Sequence, residues 1–211
     1  FDDGRIMVPL YGPVQESEPG VNRNDPPSSK LGEAWDMTVA FSSDGGRTFP
    51  EISTIASVPA ENRLFNETDI LRLRDGRFLA ILRDGKPPKW SYKSYSADEG
   101  RTWTPYEQVN FKGECPCLFQ LRSGAILCVY RDVEGLDLGR EDSTRPGISA
   151  SVSEDDGETW RSVGQLYSGA NWDCGYPVIV RLPDSRLFCT YYTSFVDGDC
   201  EVRGIWLSDD L

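Results

Sequence analysis

Apolar residues in this chain fall in short runs of about four to eight, many alternating with polar ones, and nowhere do they recur at helical spacing. Four runs follow a two-residue turn signal: FDDGRIMVPLY (1–11), LRDGRFLAILRD (73–84), LRSGAILCVYRD (121–132) and LPDSRLFCTYYT (182–193). Asp-Gly, or a relative of it, ahead of a β-rich run is the grammar of a hairpin. A further strand follows each after a variable stretch, in MTVAFS, SYKSYS, ISASVS and RGIWLS. The first three of these lead into one motif, written SSDGGRTF (42–49), SADEGRTW (96–103) and SEDDGETW (153–160).

The repeating unit is therefore strand, DG-type turn, strand, loop, strand, box turn, strand. The boxes open at Ser42, Ser96 and Ser153, spaced 54 and 57 residues apart. Four antiparallel strands in each such unit predict an all-β chain folded as a β-propeller, one blade per unit, with the blades sharing a core around an axis. About four blades are expected in a single domain spanning 1–211. The first would lack its leading strand and the last would break off at Ser208-Asp209-Asp210-Leu211, as in part of a longer propeller. Within each box, Gly46, Gly100 and Gly157 suit a turn needing positive φ. The Asp two residues after each Ser can accept backbone N–H groups across the turn. Phe49, Trp103 and Trp160 are expected to pack between sheets. Calcium binding by the box aspartates is the alternative, but each box offers too few oxygens. The boxes read as frame, and no metal or organic cofactor is expected.

Composition narrows the chemistry. The net charge of −12 argues against sequence-independent binding of nucleic acid. The absence of histidine removes Ser-His-Asp and Cys-His catalysis and any His-ligated zinc site, leaving proton transfer to Asp, Glu, Tyr, Lys or Cys. No apolar run approaches the roughly 20 residues of a membrane-spanning helix. Of the six cysteines, Cys128 and Cys189 lie in strand-like runs and read as buried thiols. Cys115-Pro-Cys117 lacks zinc-ribbon spacing. Cys174 and Cys200, in polar and turn-like surroundings, could be oxidised or free, so the cysteines leave the compartment open.

The boxes resemble the Asp boxes, or bacterial neuraminidase repeats, of the sialidase superfamily, and the resemblance covers essentially the whole chain. It implies a sialidase-type propeller, six-bladed when complete, and leans towards a secreted or periplasmic setting. Four positions extend it. In NETDILRLRDGRFLAILR, Glu67 precedes the strand leading to a DG turn and Arg83 ends the next strand, as in sialidases. Arg145, in STRPGISASVS, stands eight residues before a box, and Arg131 competes with it for the role of second arginine. Gly175-Tyr176, in DCGYPVIVRLPDSR, matches the family's nucleophilic tyrosine. The resemblance implies Tyr176 as nucleophile, Glu67 as its base, and Arg83 with Arg145 or Arg131 as the clamp for a substrate carboxylate. These residue types suit that chemistry. A sialic acid carries a carboxylate on its anomeric carbon, which repels a carboxylate nucleophile but not a neutral phenol. A phenol needs a neighbouring base, and arginines grip a carboxylate through paired charge-assisted bonds.

The match thins elsewhere. The family's early Arg-Ile-Pro tripeptide does not occur, and the acid that protonates the leaving group is unassigned, with Asp25 and Asp36 the candidates in the long loop 12–36. Pro177 after the tyrosine and Thr68-Asp69 after the glutamate also depart from the family pattern. Trp35, Trp90 and Trp172 would suit stacking on a sugar ring. The expected activity is that of a retaining exo-glycosidase releasing terminal sialic acid, or a related acidic sugar, from glycoconjugates. The alternatives are a non-catalytic carbohydrate-binding propeller and a hydrolase or lyase acting on another acidic glycan.

Overall fold

The computed structural model describes residues 1–12, 36–57, 63–133, 147–169, 173–195 and 198–210. Among these there is no helix; fourteen strands form four antiparallel sheets, the blades of a sialidase-type β-propeller. The first sheet is β1 (Ile6–Gly12), β2 (Asp36–Ser42) and β3 (Glu51–Ala56). The second is β4 (Phe65–Arg72), β5 (Phe78–Asp84), β6 (Ser91–Ser96) and β7 (Glu107–Gln108). The third orders β8 (Gly113–Gln120), β9 (Ile126–Asp132), β10 (Gly147–Ser153) and β11 (Arg161–Ser168), and the fourth β12 (Cys174–Arg181), β13 (Leu187–Ser194) and β14 (Cys200–Leu207). The DG-type turns at Asp75, Ser123 and Asp184 each join two neighbouring strands, as their sequences predict, while the one at Asp3 leads into β1.

The middle sheets are covered on both faces, and this explains their nearly continuous apolar runs. In β9, Ile126, Cys128 and Tyr130 face the second sheet while Leu127 and Val129 face the fourth. In β5, Ala80 and Leu82 face the first sheet while Leu79 and Ile81 face the third. Successive side chains thus serve successive interfaces, and each buried Leu or Ile contributes roughly 1.5–3 kcal/mol. Polar links cross between the same sheets. Asp69 of β4 accepts the Leu118 N–H of β8 at 2.7 Å, and Arg181 of β12 meets Asp209, which also accepts the Arg122 N–H.

The boxes are built as their residues predict. In the second, Ser96 Oγ donates to Asp98 Oδ1 at 2.9 Å and accepts the Gly100 N–H at 2.8 Å. Asp98 also accepts the Thr102 N–H at 2.8 Å and the Thr102 hydroxyl at 2.6 Å. Those bonds hold the Asp98 carboxyl down to a pKa of about 2, the Thr102 bonds contributing most. The aromatic that follows packs back onto the preceding sheet. Trp160 reaches the core between the second and third sheets, edge-on to Phe111 at 5.6 Å, and its indole N–H donates to the Gly157 carbonyl at 3.0 Å. Phe49 departs from the expectation of interior packing: it is 37% exposed, because among the described residues no sheet covers the outer face of the first.

All six cysteines are free thiols. Cys128 and Cys189 are buried as expected, whereas Cys174, read from its polar neighbours as turn-like, opens β12 and is fully buried.

Candidate active site

The innermost strands β4, β8 and β12 lie side by side, β4 against β8 and β8 against β12. Each breaks register once near its start: between Phe65 and Thr68, between Glu114 and Cys117, and between Gly175 and Val178. Such a bulge re-aims the side chains at the break. The position it selects is the same in these three blades. Glu67, Cys115 and Tyr176 each stand eight residues before the turn residue Asp75, Ser123 or Asp184. Cys115 and Tyr176 adopt φ of 51° and 50°, in the left-handed region that residues with a Cβ seldom occupy. Eight residues after the same turns, on the second strand of each blade, stand Arg83, Arg131 and Tyr192. Propeller symmetry thus gathers two sets of chemically versatile side chains at one end of the inner strands.

Glu67 and Tyr176 meet there although 109 residues separate them. The Tyr176 hydroxyl donates to Glu67 Oε1 at 2.8 Å. Tyr176 remains 55% exposed, and its ring stacks on that of Tyr192 with centroids 6.0 Å apart. The bond to Glu67, then burial, raises the Tyr176 phenol above its ordinary pKa, so at neutral pH it carries its proton. Glu67 Oε2 is held by Arg83 Nη1, and Arg83 Nη2 reaches Glu114 Oε1 at 3.0 Å.

Glu114 anchors the cluster from below. It is 3% exposed; Oε1 accepts Lys89 Nζ at 2.8 Å as well as Arg83, and Oε2 accepts Arg131 Nη1 at 2.9 Å. Burial alone would push the Glu114 carboxyl up, but Arg83, Lys89 and Arg131 together outweigh it and hold it low. Arg131 is itself buried; its Nε donates to the Cys174 carbonyl and its Nη2 to the Tyr192 hydroxyl at 3.0 Å. Gly175 is required by this arrangement, since a Cβ there would lie 2.8 Å from Arg131 Nη2. Burial, then the bond that Tyr192 donates to Asp173, raises the Tyr192 phenol to about 12.

Of the residues singled out in the sequence, the structure therefore brings Glu67, Arg83, Arg131 and Tyr176 into one network. Arg145, Asp25, Trp35 and Trp172 lie outside the described residues. Asp36 opens β2 opposite Gly12, where it accepts the Ser57 hydroxyl at 3.0 Å. Trp90 packs against the core between the first and second sheets, with Lys112 Nζ 5.0 Å from its ring centroid. Glu114, Lys89, Tyr192 and Asp173 escaped the sequence reading. Counting eight residues to either side of each turn would have found Tyr192, and Glu114 as the neighbour of Cys115. Among the described residues no cluster of three or more His, Cys, Asp or Glu is arranged to hold a metal ion.

A four-sheet propeller with serine-aspartate boxes and a tyrosine–glutamate pair at the inner strands defines a class, the BNR and sialidase-type propellers. The family model for the BNR repeat-like domain matches residues 1–189, and the chain belongs to that family. No curated protein sequence matches it. Among solved structures it is similar to a protein of unknown function from Dyadobacter fermentans, with 22% identity and a TM-score of 0.76 over 98% of this chain and 50% of that one. It is similar also to an alpha-L-arabinanase of Penicillium chrysogenum, with 17% identity and a TM-score of 0.61 over 84% of this chain and 56% of that one. The intramolecular trans-sialidase of Ruminococcus gnavus gives 17% identity and a TM-score of 0.52 over 76% of this chain and 33% of that one. At these identities the likeness shows the shared fold, and the chain spans 50%, 56% and 33% of the length of these three structures.

Proposed function

We propose that this chain carries the nucleophile half of a retaining exo-glycosidase centre of sialidase type, acting on terminal sialic acid or a related acidic sugar of a glycan. The observation that carries the reading is the 2.8 Å bond from the Tyr176 hydroxyl to Glu67, between strands of two non-adjacent blades. Tyr176 is exposed and protonated, so a sugar bearing a carboxylate at its anomeric carbon approaches a neutral group. As the phenol oxygen bonds to that carbon and the glycosidic C–O bond breaks, the phenolic proton passes to Glu67 Oε1. The leaving-group oxygen takes its proton from a separate acid. Water then attacks the anomeric carbon, passing a proton to the conjugate base of that acid as the C–O(Tyr176) bond breaks, and Glu67 returns its proton to the Tyr176 oxygen. Arg83 holds Glu67 in place throughout, and Arg131 fixes the backbone just ahead of Tyr176.

A second reading, hydrolysis of a neutral sugar such as an arabinose unit, is favoured by one observation: in this structure both Nη atoms of Arg83 are bonded to the protein's own carboxylates. A substrate carboxylate would have to displace one of them. The test is hydrolysis of fluorogenic sialosides and arabinofuranosides by the whole protein beside Tyr176→Phe. Sialoside turnover that Tyr176→Phe abolishes supports the first reading. Turnover of the arabinofuranoside alone selects the second, and binding without turnover of either selects a carbohydrate-binding propeller.

A further inference from the structure

The third blade supplies neither member of the Glu67–Tyr176 pair, yet its Glu114 is linked towards both through Arg83 and Arg131. We propose that Glu114 is the positioning residue of the site: a buried carboxylate that sets the place of Glu67 through Arg83, and that of Tyr176 through Arg131. The inference rests on the reading of Glu67 and Tyr176 as base and nucleophile, and goes beyond it by assigning the device that holds them in register.

The geometry is specific. Glu114 lies on β8 directly opposite Arg131 of β9, one residue ahead of the bulge that carries Cys115. Its two oxygens take three cations from three elements: Arg83 from β5, Lys89 from the loop after β5, and Arg131 from β9. On one side the second Nη of Arg83 continues to Glu67 of β4. On the other, Arg131 continues to the Cys174 carbonyl, two residues before Tyr176, and to the hydroxyl of Tyr192, on whose ring Tyr176 stacks. The groups facing the hub are therefore Arg83, Lys89 and Arg131 directly, with Glu67, Cys115, Tyr192 and Tyr176 around them and Asp173 behind Tyr192.

A carboxylate placed between two arginines does two things at once. It fixes both forks by paired, charge-assisted bonds, and it takes up part of the Arg83 charge that would otherwise act wholly on Glu67. Removing the carboxylate and removing Lys89 should therefore perturb Glu67 in opposite directions. Glu114→Gln leaves Arg83 paired with Glu67 alone, so the base is less ready to take a proton and the acid limb of the kcat/KM profile moves to lower pH. Lys89→Met, at the partly exposed rim of the cluster, frees Glu114 to draw more of Arg83, and the acid limb moves to higher pH. A residue that merely supported the fold would leave the Tyr176–Glu67 separation of the folded variant at its wild-type value.

The test uses the whole protein in three forms, wild type, Glu114→Gln and Lys89→Met. It reads hydrolysis of the best fluorogenic glycoside against pH and, separately, the Tyr176–Glu67 separation in crystals of each. The expected result for Glu114→Gln is a kcat lower by about 10²-fold with KM little changed, an acid limb at lower pH, and a pair opened beyond hydrogen-bond distance in a protein that remains folded. Lys89→Met is expected to fold and to shift the limb the other way, which decides the matter should Glu114→Gln not fold. The proposal is overturned if folded Glu114→Gln keeps the wild-type kcat, limb and 2.8 Å contact, or if Lys89→Met leaves the limb where it is. If wild type cleaves no glycoside offered, the functional reading fails on its own, and the separation in the Glu114→Gln crystals still decides the positioning role.

Discussion

At the site Gly175 packs tightly against Arg131, and Gly175→Ala probes that contact with a single carbon. The added Cβ would stand 2.8 Å from Arg131 Nη2 and 3.0 Å from Nε. Ordinary contact lies near 3.6 Å, so either the guanidinium or the start of β12 must retreat by roughly 0.8 Å. Arg131 has little room to do so. It is buried, and its three bonds, to Glu114, the Cys174 carbonyl and the Tyr192 hydroxyl, would lengthen together. Overpacking of this kind costs about 1–3 kcal/mol. For a chain of this length each kcal/mol lowers Tm by about 2–4 °C, so calorimetry should show a fall of roughly 4–8 °C around a central 2 kcal/mol cost. Tyr176 is the next residue, and a displacement of about 1 Å there should lower kcat on the order of 10²-fold. The reasoning is refuted if Gly175→Ala melts with the wild type and its structure shows Arg131 unmoved.

Other expectations follow from the same structure. Trp160→Ala, removing an aromatic from the core between two sheets, should cost about 3–5 kcal/mol in urea unfolding, whereas Phe49→Ala at the equivalent but exposed box position should cost under about 1 kcal/mol; equal losses would contradict the packing assigned to the box aromatics. The Asp44 and Asp98 carboxyls are depressed to about 2 by their box hydrogen bonds. A depressed carboxyl adds stability that is full above its unfolded pKa, near 3.8, and is lost as pH falls towards 2. Asp98→Asn should therefore flatten the acid limb of the stability curve in that window and leave its shape near neutrality unchanged. Thiol labelling of the native protein should modify exposed Cys200 quickly, while Cys115, Cys128, Cys174 and Cys189 react only on unfolding; rapid labelling of Cys115 would contradict its burial beneath the site.

The frame was legible in the sequence because it is written in local signals. A DG-type turn and a box need only a few neighbouring residues, and their recurrence fixes blade number and register. Glu67 and Tyr176 were singled out through the family resemblance, which that register allowed to be laid along the chain, and the structure brings the two side chains together. Glu114 was not, because a carboxylate ahead of Cys-Pro-Cys looks like any strand-end charge until Arg83, Lys89 and Arg131 arrive from three separate elements. Arg83 and Arg131 were found by position, but their bonding was not foreseen: in this structure both grip carboxylates of the protein. Phe49 and Cys174 were misjudged for a related reason. Exposure depends on whether another sheet covers the position, and that is a property of the assembled arc.

The central claim is that Tyr176 attacks the anomeric carbon with Glu67 as its base. An activated glycoside bearing fluorine beside the anomeric centre slows breakdown of the glycosyl-enzyme, so the intermediate should accumulate. Peptide mapping by mass spectrometry after such treatment should place one sugar on Tyr176, with no adduct in Tyr176→Phe and slower formation in Glu67→Gln. A sugar attached to Glu67 or Glu114 instead, or turnover that Tyr176→Phe leaves intact, would contradict the account.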